Sequence, residues 1–297
     1  MIYKAIKELG GGINANQQAR KIGENQWTTL QQMRSARGVV NNFPGWTNIF
    51  AVGTTFVVNG YGTAIDEFEL FDGTVFIVMA DIQKIYSYSA INKTLTDISG
   101  SAIFSPTMDD PWISFQYKDV YYITNKKDGL YSWSGAGNVA ATANAPKMRA
   151  ATIVKDHILG CDYQFGSGAD HPQGIAWCAE AAVTTWTAAS NNDAGAFDVD
   201  DTPDLCLTIE PLGQDSAILY KERNIIPITW IGGNEVFARK QAIPGIGILG
   251  TDGIINLGDE HIIMGNDTFY VYRGGNDING EIAIRIRDKV YPRLHPV

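Results

Sequence analysis

The residues whose types could do chemistry are few, and their spacing works against it. His157, Cys161 and Asp162 stand close together, and imidazole, thiolate and carboxylate are zinc ligands. The stretch reads as a strand, however, on which residues four apart share a face but stand about 13 Å from end to end, too far to share one ion. A core or rim histidine is the plainer reading. Asp198-x-Asp200-Asp201-x-x-Asp204 bunches oxygen ligands of the kind a divalent cation takes, yet it lacks the Gly and terminal Glu of the Asp-x-Asp-x-Asp-Gly calcium loop. Pro244-Gly245-Ile246-Gly247-Ile248-Leu249-Gly250 matches G-x-G-x-x-G. A dinucleotide site needs a helix after that motif, and here Thr251-Asp252-Gly253 and another strand-like burst follow, so a connecting loop is expected. His171-Pro172 and His295-Pro296 read as loop and tail features. There is no G-x-S-x-G elbow, Walker loop or H-E-x-x-H. Carboxylates are plentiful, but nothing selects a pair for acid–base work. No catalytic residue, metal ligand or cofactor is assigned, and the chain reads as a non-enzyme.

The elements that would carry any site are short strands. The chain has 297 residues, of which 45% are apolar and 11% aromatic, enough to bury a substantial core. Tyr, Phe, Trp, Val, Ile and Thr come in bursts of five to seven separated by Gly, Asn, Asp and Ser, the punctuation of antiparallel strands. The bursts repeat. Residues 74–79 followed by 84–89 lay over 119–124 followed by 129–134 at an offset of 45, class for class. A third copy keeps that offset in Gly174-Ile175-Ala176-Trp177-Cys178, preceded by residues 157–161. Looser copies follow at 217–220 with 224–230 and at 261–264 with 269–272. Units of this kind cannot bury their apolar faces alone, and radial closure removes their exposed edges. The expected fold is therefore all-β: a β-propeller of about five blades, with six also fitting, over residues 45–297. An open β-sandwich is the rival.

Charge divides the chain. Residues 1–44 carry six basic and two acidic residues, a net of +4. The whole chain is at −9, which leaves −13 on the rest. An acidic protein is ill suited to coating nucleic acid or anionic lipid. No apolar run approaches the roughly 20 residues of a membrane span, and charge interrupts the first residues before a signal core forms, so the chain reads as soluble. Its three scattered cysteines, Cys161, Cys178 and Cys206, read as buried free thiols from a reducing site of synthesis. Residues 1–44 are rich in Gly, Asn and Gln and read as an extended arm that straps its own body or a neighbouring subunit. The residues expected to anchor it are Arg20, Lys21, Trp27, Arg34 and Arg37. Within the body no Lys or Arg falls between Lys155 and Lys221, a stretch with eleven acidic residues. Asp193, Asp198, Asp200, Asp201 and Asp204 are expected on its surface, where like charge would keep passing DNA from adhering.

The arm carries Leu9-Gly10-Gly11-Gly12-Ile13-Asn14, then Gln26-x-x-x-Leu30, Met33-Arg34-x-x-Arg37-Gly38-Val39-Val40 and Phe43-Pro44-Gly45-Trp46. In this order the motifs resemble the entry segment of bacteriophage tail proteins of the nozzle or stabilisation type, and phrases of the body, such as Lys84-Ile85-Tyr86-Ser87-Tyr88, are similar too. Gln32 departs from that pattern, where Asn is usual. The resemblance implies a structural virion protein synthesised in the host cytoplasm: a ring of about six subunits beneath the portal and adaptor of a short tail, through which the genome leaves. The competing class is a carbohydrate-binding or glycan-cleaving propeller used in host recognition, with Trp112, Trp133, Trp177, Trp186 and Trp230 as stacking platforms. A scaffolding propeller of the Trp-Asp repeat kind ranks last, because the repeat's signatures are missing.

Overall fold

The computed structural model describes residues 33–36, 39–42, 57–233, 235–275, 278–279 and 291. The chain divides into two compact units, Met1–Ala51 and Val52–Val297, a few residues beyond the expected boundary at 44/45. In the first unit β1 (Met33–Ala36) and β2 (Val39–Asn42) pair antiparallel, Met33 opposite Asn42. Arg34 lies on β1, while Arg20, Lys21, Trp27 and Arg37 lie outside the described residues.

The second unit is all-β and forms five blades, each a sheet of antiparallel strands in sequence order. Blade 1 is β3 (Gly62–Glu69), β4 (Val75–Asp81), β5 (Ile85–Ser89) and β6 (Thr94–Asp97). Blade 2 is β7 (Ile113–Tyr117), β8 (Val120–Asn125), β9 (Gly129–Trp133) and β10 (Ala140–Ala141). Blade 3 is β11 (Lys147–Val154), β12 (His157–Gln164), β13 (Asp170–Trp177) and β14 (Gly195–Asp198). Blade 4 is β15 (Cys206–Leu212), β16 (Ser216–Lys221), β17 (Asn224–Trp230) and β18 (Phe237–Arg239), with β19 (Ile243–Pro244) also on β17. Blade 5 is β20 (Ile254–Asn256), β21 (His261–Met264), β22 (Phe269–Tyr272) and β23 (Ile278–Asn279). First strands of successive blades lie against one another, β3 on β7, β7 on β11, β11 on β15 and β15 on β20, so the first strand of each blade is its inner edge. This is a five-bladed β-propeller.

The 45-residue repeat turns out to be the second and third strands of each blade. Ile85, Leu130, Ile175 and Ile225 occupy equivalent places in the third strands, and each packs into the core shared with the following blade. The residues after Leu130, Ile175 and Ile225 point the other way: Tyr131, Ala176 and Ile226 pack into the core shared with the preceding blade. Side chains alternate across a strand with a period of two, so one sequence face serves one neighbour and the next residue serves the other. Trp133 and Trp177 differ by one step in this phase. Trp133 packs back onto Phe68 and Phe76 of blade 1, and Trp177 packs forward onto Phe237 of blade 4. Both are inter-blade residues, on opposite faces.

Blade 3 has one long connection, between β13 and β14, which contains Trp186. Its indole is buried in the core between blades 2 and 3 and donates to the Val183 carbonyl at 2.8 Å. Asn144, in the segment joining those blades, donates to the Thr184 carbonyl at 3.1 Å. The cysteines are free and buried. Among the described residues no helix is long and apolar enough to cross a membrane.

If inter-blade phase carries the stability, Ile175→Ala should cost about 2–5 kcal/mol, the range for truncating a fully buried isoleucine. Ile91→Ala, at a residue 71% exposed, should stay within about 0.5 kcal/mol. Urea denaturation of the two variants makes the comparison.

Candidate functional site

The carboxylates are where function was expected, and many of them tie backbone. In three blades a polar residue in the segment entering the first strand grips the turn between the second and third. In blade 1 the Asn59 backbone N–H and Nδ2 donate to Asp81 Oδ2 at 2.8 and 2.9 Å, while Asp81 Oδ1 accepts from the Gln83 and Lys84 N–H groups at 2.7 Å each. In blade 2 the Lys126 N–H donates to Asp110 Oδ1 at 3.1 Å. In blade 4 the Arg223 N–H donates to Asp204 Oδ2 at 2.9 Å and Asn224 Nδ2 to both Asp204 oxygens at 3.0 Å. Asp and Asn suit such turns because a short side chain can accept from backbone a few residues away. Burial raises the pKa of Asp110 against the opposing bond from Lys126 and the Arg149 charge. Burial also pushes Asp204 up, but bonds from Thr202, Asn224 and Arg223 and the nearby Lys221 ammonium outweigh it, and its pKa ends below the usual value.

The acidic stretch therefore separates into different jobs. Asp204 is buried, so its expected place on the surface is corrected: the turn it holds needs a carboxylate inside. Asp193 accepts from the Glu180 N–H at 2.9 Å and lies 3.6 Å from His157 Nε2. Asp198, at the end of the outermost strand of blade 3, takes the His171 ring at 2.9 Å, and that ring stacks on Tyr163 with centroids 4.5 Å apart. His171 lies within β13, not in a loop. Asp201 pairs with Arg239, and Asp200 is exposed beside Asp198 and His171 in a small recess. Of the five, Asp198, Asp200 and Asp201 remain exposed, at the outer edge of blade 3 and the connection to blade 4. Among the described residues no group of three or more His, Cys, Asp or Glu is placed to hold a metal ion.

His157 is buried at the start of β12, its Nδ1 2.8 Å from the Cys178 carbonyl, with its ring edge-on to Phe237. The glycine motif lies between β19 and β20, the passage from blade 4 to blade 5, as expected. Gly245 has φ +84°, and a Cβ on Gly247 would fall on the Glu222 carbonyl. The motif is glycine-rich because the loop lies against the β16–β17 turn. Trp112, Trp133, Trp177 and Trp186 are 2–7% exposed, which leaves Trp230, at 37%, as the one of the five able to present a face. Two residues that sequence reasoning missed, Asp66 on β3 and Asp252 just before β20, share one cleft at the inner edges of the blades with Trp112, just before β7.

Blades 4 and 5 are joined by a buried polar bridge. His261 Nε2 lies 2.8 Å from the Pro211 carbonyl, and its Nδ1 lies 2.6 Å from the Tyr220 hydroxyl. A carbonyl can only accept, so the neutral ring donates from Nε2 and Tyr220 donates to Nδ1. Burial lowers the His261 pKa, against the opposing bond to Pro211.

No protein-family profile matches the chain, and no curated protein does. Solved structures are similar in fold. They include the computationally designed Ika8 protein, at 10% identity over 72% of this chain and 60% of that one, TM-score 0.45. A functionally unknown protein from Desulfotomaculum acetoxidans is 13% identical over 74% and 71%, TM-score 0.47. The β-propeller domain of Cps50 (Swd1) from Myceliophteria thermophila is 9% identical over 82% and 78%, TM-score 0.48. The chain spans less than two thirds of the designed protein's length.

Two outcomes follow from this geometry. Gly247→Ala should lower stability by at least about 2 kcal/mol, since backbone must shift to admit the methyl group, measurable as a drop in Tm. The folded His261 binds its proton less readily than the unfolded one, whose pKa is 6.5. The bridge's contribution is thus complete above pH 6.5 and is lost as pH falls from there toward the folded pKa. His261→Phe should remove that part of the pH dependence in a comparison of urea midpoints between pH 7.5 and pH 5, whatever its effect on stability at neutral pH.

Proposed function

We propose that this chain is a structural subunit of a bacteriophage short tail: one copy in a ring, about six-fold, that continues the portal and adaptor and conducts the genome at ejection. The observation that carries the reading is a five-bladed body that follows a glycine-rich, basic segment whose motifs come in that family's order. Charge supports it. A segment of +4 and a remainder of −13 attract one another between copies, as head-to-tail ring closure requires. Exposed carboxylates such as Asp198, Asp200 and Asp201 release no counterions from a passing duplex, so they let DNA slide by without adhesion. The chain works through shape and surface charge and needs no cofactor. Its place is the virion tail, among other tail proteins. The carbohydrate-binding alternative keeps one of its five platforms, Trp230, the other four tryptophans being buried.

Electron microscopy of the purified chain mixed with its tail partners tests this directly. Rings of about six copies, and loss of those rings on deletion of residues 1–44 with the Tm of the body kept, are the expected results. Monomers alone at high concentration with the partners present would refute the ring, and rings that survive the deletion would remove the strap.

A further inference from the structure

Five blades in a ring make five interfaces, and the described residues build a hydrophobic core in four of them: between blades 1 and 2, 2 and 3, 3 and 4, and 4 and 5. Among those residues blades 5 and 1 share none. The residues opposite Ile85, Leu130, Ile175 and Ile225 on the second strands are Ala80, Thr124, Cys161 and Tyr220. Three residues earlier stand Ile77, Tyr121, Ile158 and Ala217. The last three are fully buried in the core shared with the preceding blade, whereas Ile77 is only half-buried and joins none of the four cores. On the same face of β3, Ile65 and Glu67 pair with Met79 and Ile77, and both are exposed, as is Glu69. Across the seam, Ile255 is exposed and its partner Ile262 half-buried; they alternate with Ile254 and Ile263, which pack toward blade 4. Among the described residues no large apolar side chain is exposed between residues 113 and 198, the strands of blades 2 and 3, while Ile65, Phe71, Ile255 and Leu257 gather on the two blades that border the seam. Apolar surface concentrated in this way marks a face that a partner covers.

Charge says which partner. No Lys or Arg falls between residues 57 and 83 or between Lys240 and Arg273, so the first two strands of both blades are without a base. Glu67 and Glu69 have no ion pair among the described residues, and the exposed Asp72 and Asp259 sit in the first turns of blades 1 and 5. The occupant must therefore be apolar and basic. The body of a second copy is acidic and would be repelled, as would an anionic membrane. Residues 1–44 carry a net +4, with Trp27, Leu30, Met33, Val39, Val40 and Phe43 set among Arg34 and Arg37. Among the described residues β1 and β2 of that segment pair only with each other, and a two-stranded hairpin needs further packing to be stable in water. An extended segment of this length reaches up to roughly 150 Å, enough to arrive at an adjacent copy. We infer that the seam between blades 5 and 1 is the docking site for the N-terminal segment of the neighbouring copy, whose apolar residues complete the fifth interface while Arg34 and Arg37 meet Glu67 and Glu69. This rests on the ring proposed above and names the surface that the strap holds.

The test uses the full chain with its tail partners. Glu67→Lys combined with Glu69→Lys should abolish the rings seen by electron microscopy and leave the Tm unchanged, as befits exposed residues. Adding Arg34→Glu and Arg37→Glu to that chain should restore the rings, a rescue that a merely local disturbance would not give. Asp200→Lys, on the outer edge of blade 3, should leave them intact. Mixing a tagged Ile65→Cys chain with an untagged Ser35→Cys chain and a short bis-maleimide shows which copy supplies the segment. The expected product joins one chain of each kind, and Ile91→Cys in place of Ile65→Cys should give none. Wild-type rings that ignore the Glu67 and Glu69 reversals would overturn the docking site and leave the ring standing, whereas absence of rings from the unaltered chain would overturn both. A cross-link formed only within a single chain carrying both cysteines, at any dilution with unaltered chain, would put the segment on its own body and overturn the proposal.

Discussion

Everything in the body depends on each blade being buried on both faces. A strand in an ordinary antiparallel layer can give one face to water, whereas here alternate residues must satisfy two different neighbours at once. Ile175 and Ala176 show the constraint at its tightest: adjacent in sequence, both without exposure, one in the core toward blade 4 and the other in the core toward blade 2. A slip of one residue in pairing would exchange the two sets, sending a side chain chosen for one core into another of different size. The β-branched and aromatic content of the third strands follows from this need, and so does the bulge between Cys161 and Tyr163. There Asp162 takes φ +48°, and its carboxylate meets Lys126 of blade 2 and Arg149 of its own blade.

The second organising principle is the use of carboxylates as backbone ties. A chain with 32 acidic residues invites a reading in terms of surface potential, and part of that reading holds for Asp198, Asp200 and Asp201. Asp81, Asp110 and Asp204 are instead buried, and each accepts from an N–H that the turn leaves without a strand partner. Buried backbone donors must be paired; Asp110 and Asp204, brought from the preceding connection, do so while fixing where the inner strand begins, and in blade 1 Asn59 from that connection grips Asp81, which holds the turn itself. Lys221 works the same way from the opposite sign: its ammonium is wholly buried and donates to the Val199 and Thr202 carbonyls at 2.9 and 3.0 Å.

How much of this could be read from the sequence depended on the strand. The second and third strands of each blade are apolar on both faces and keep their spacing, so the repeat is visible and points to about five or six blades, of which the structure has five. The inner strands were not legible. In β3 the run Thr63-Ala64-Ile65-Asp66-Glu67-Phe68-Glu69 mixes charge with apolar residues because one end lines an open cleft, which hides the alternation. Outer strands such as Ala140–Ala141 are too short to carry any pattern. The cleft itself had no sequence signal at all, since Asp66, Trp112 and Asp252 meet only through the circular order of blades 1, 2 and 5. The glycine motif lacks the following helix that a nucleotide loop needs, and the close approach of Gly247 to Glu222 supplies the reason for its composition.

The long connection of blade 3 has a mechanical meaning. Trp186 anchors in the core shared by two blades, and Asn144 fastens the same loop to the segment joining them. A pull on the outer rim of blade 3 is therefore delivered to blade 2 as well, so that this pair yields as one block rather than peeling strand by strand.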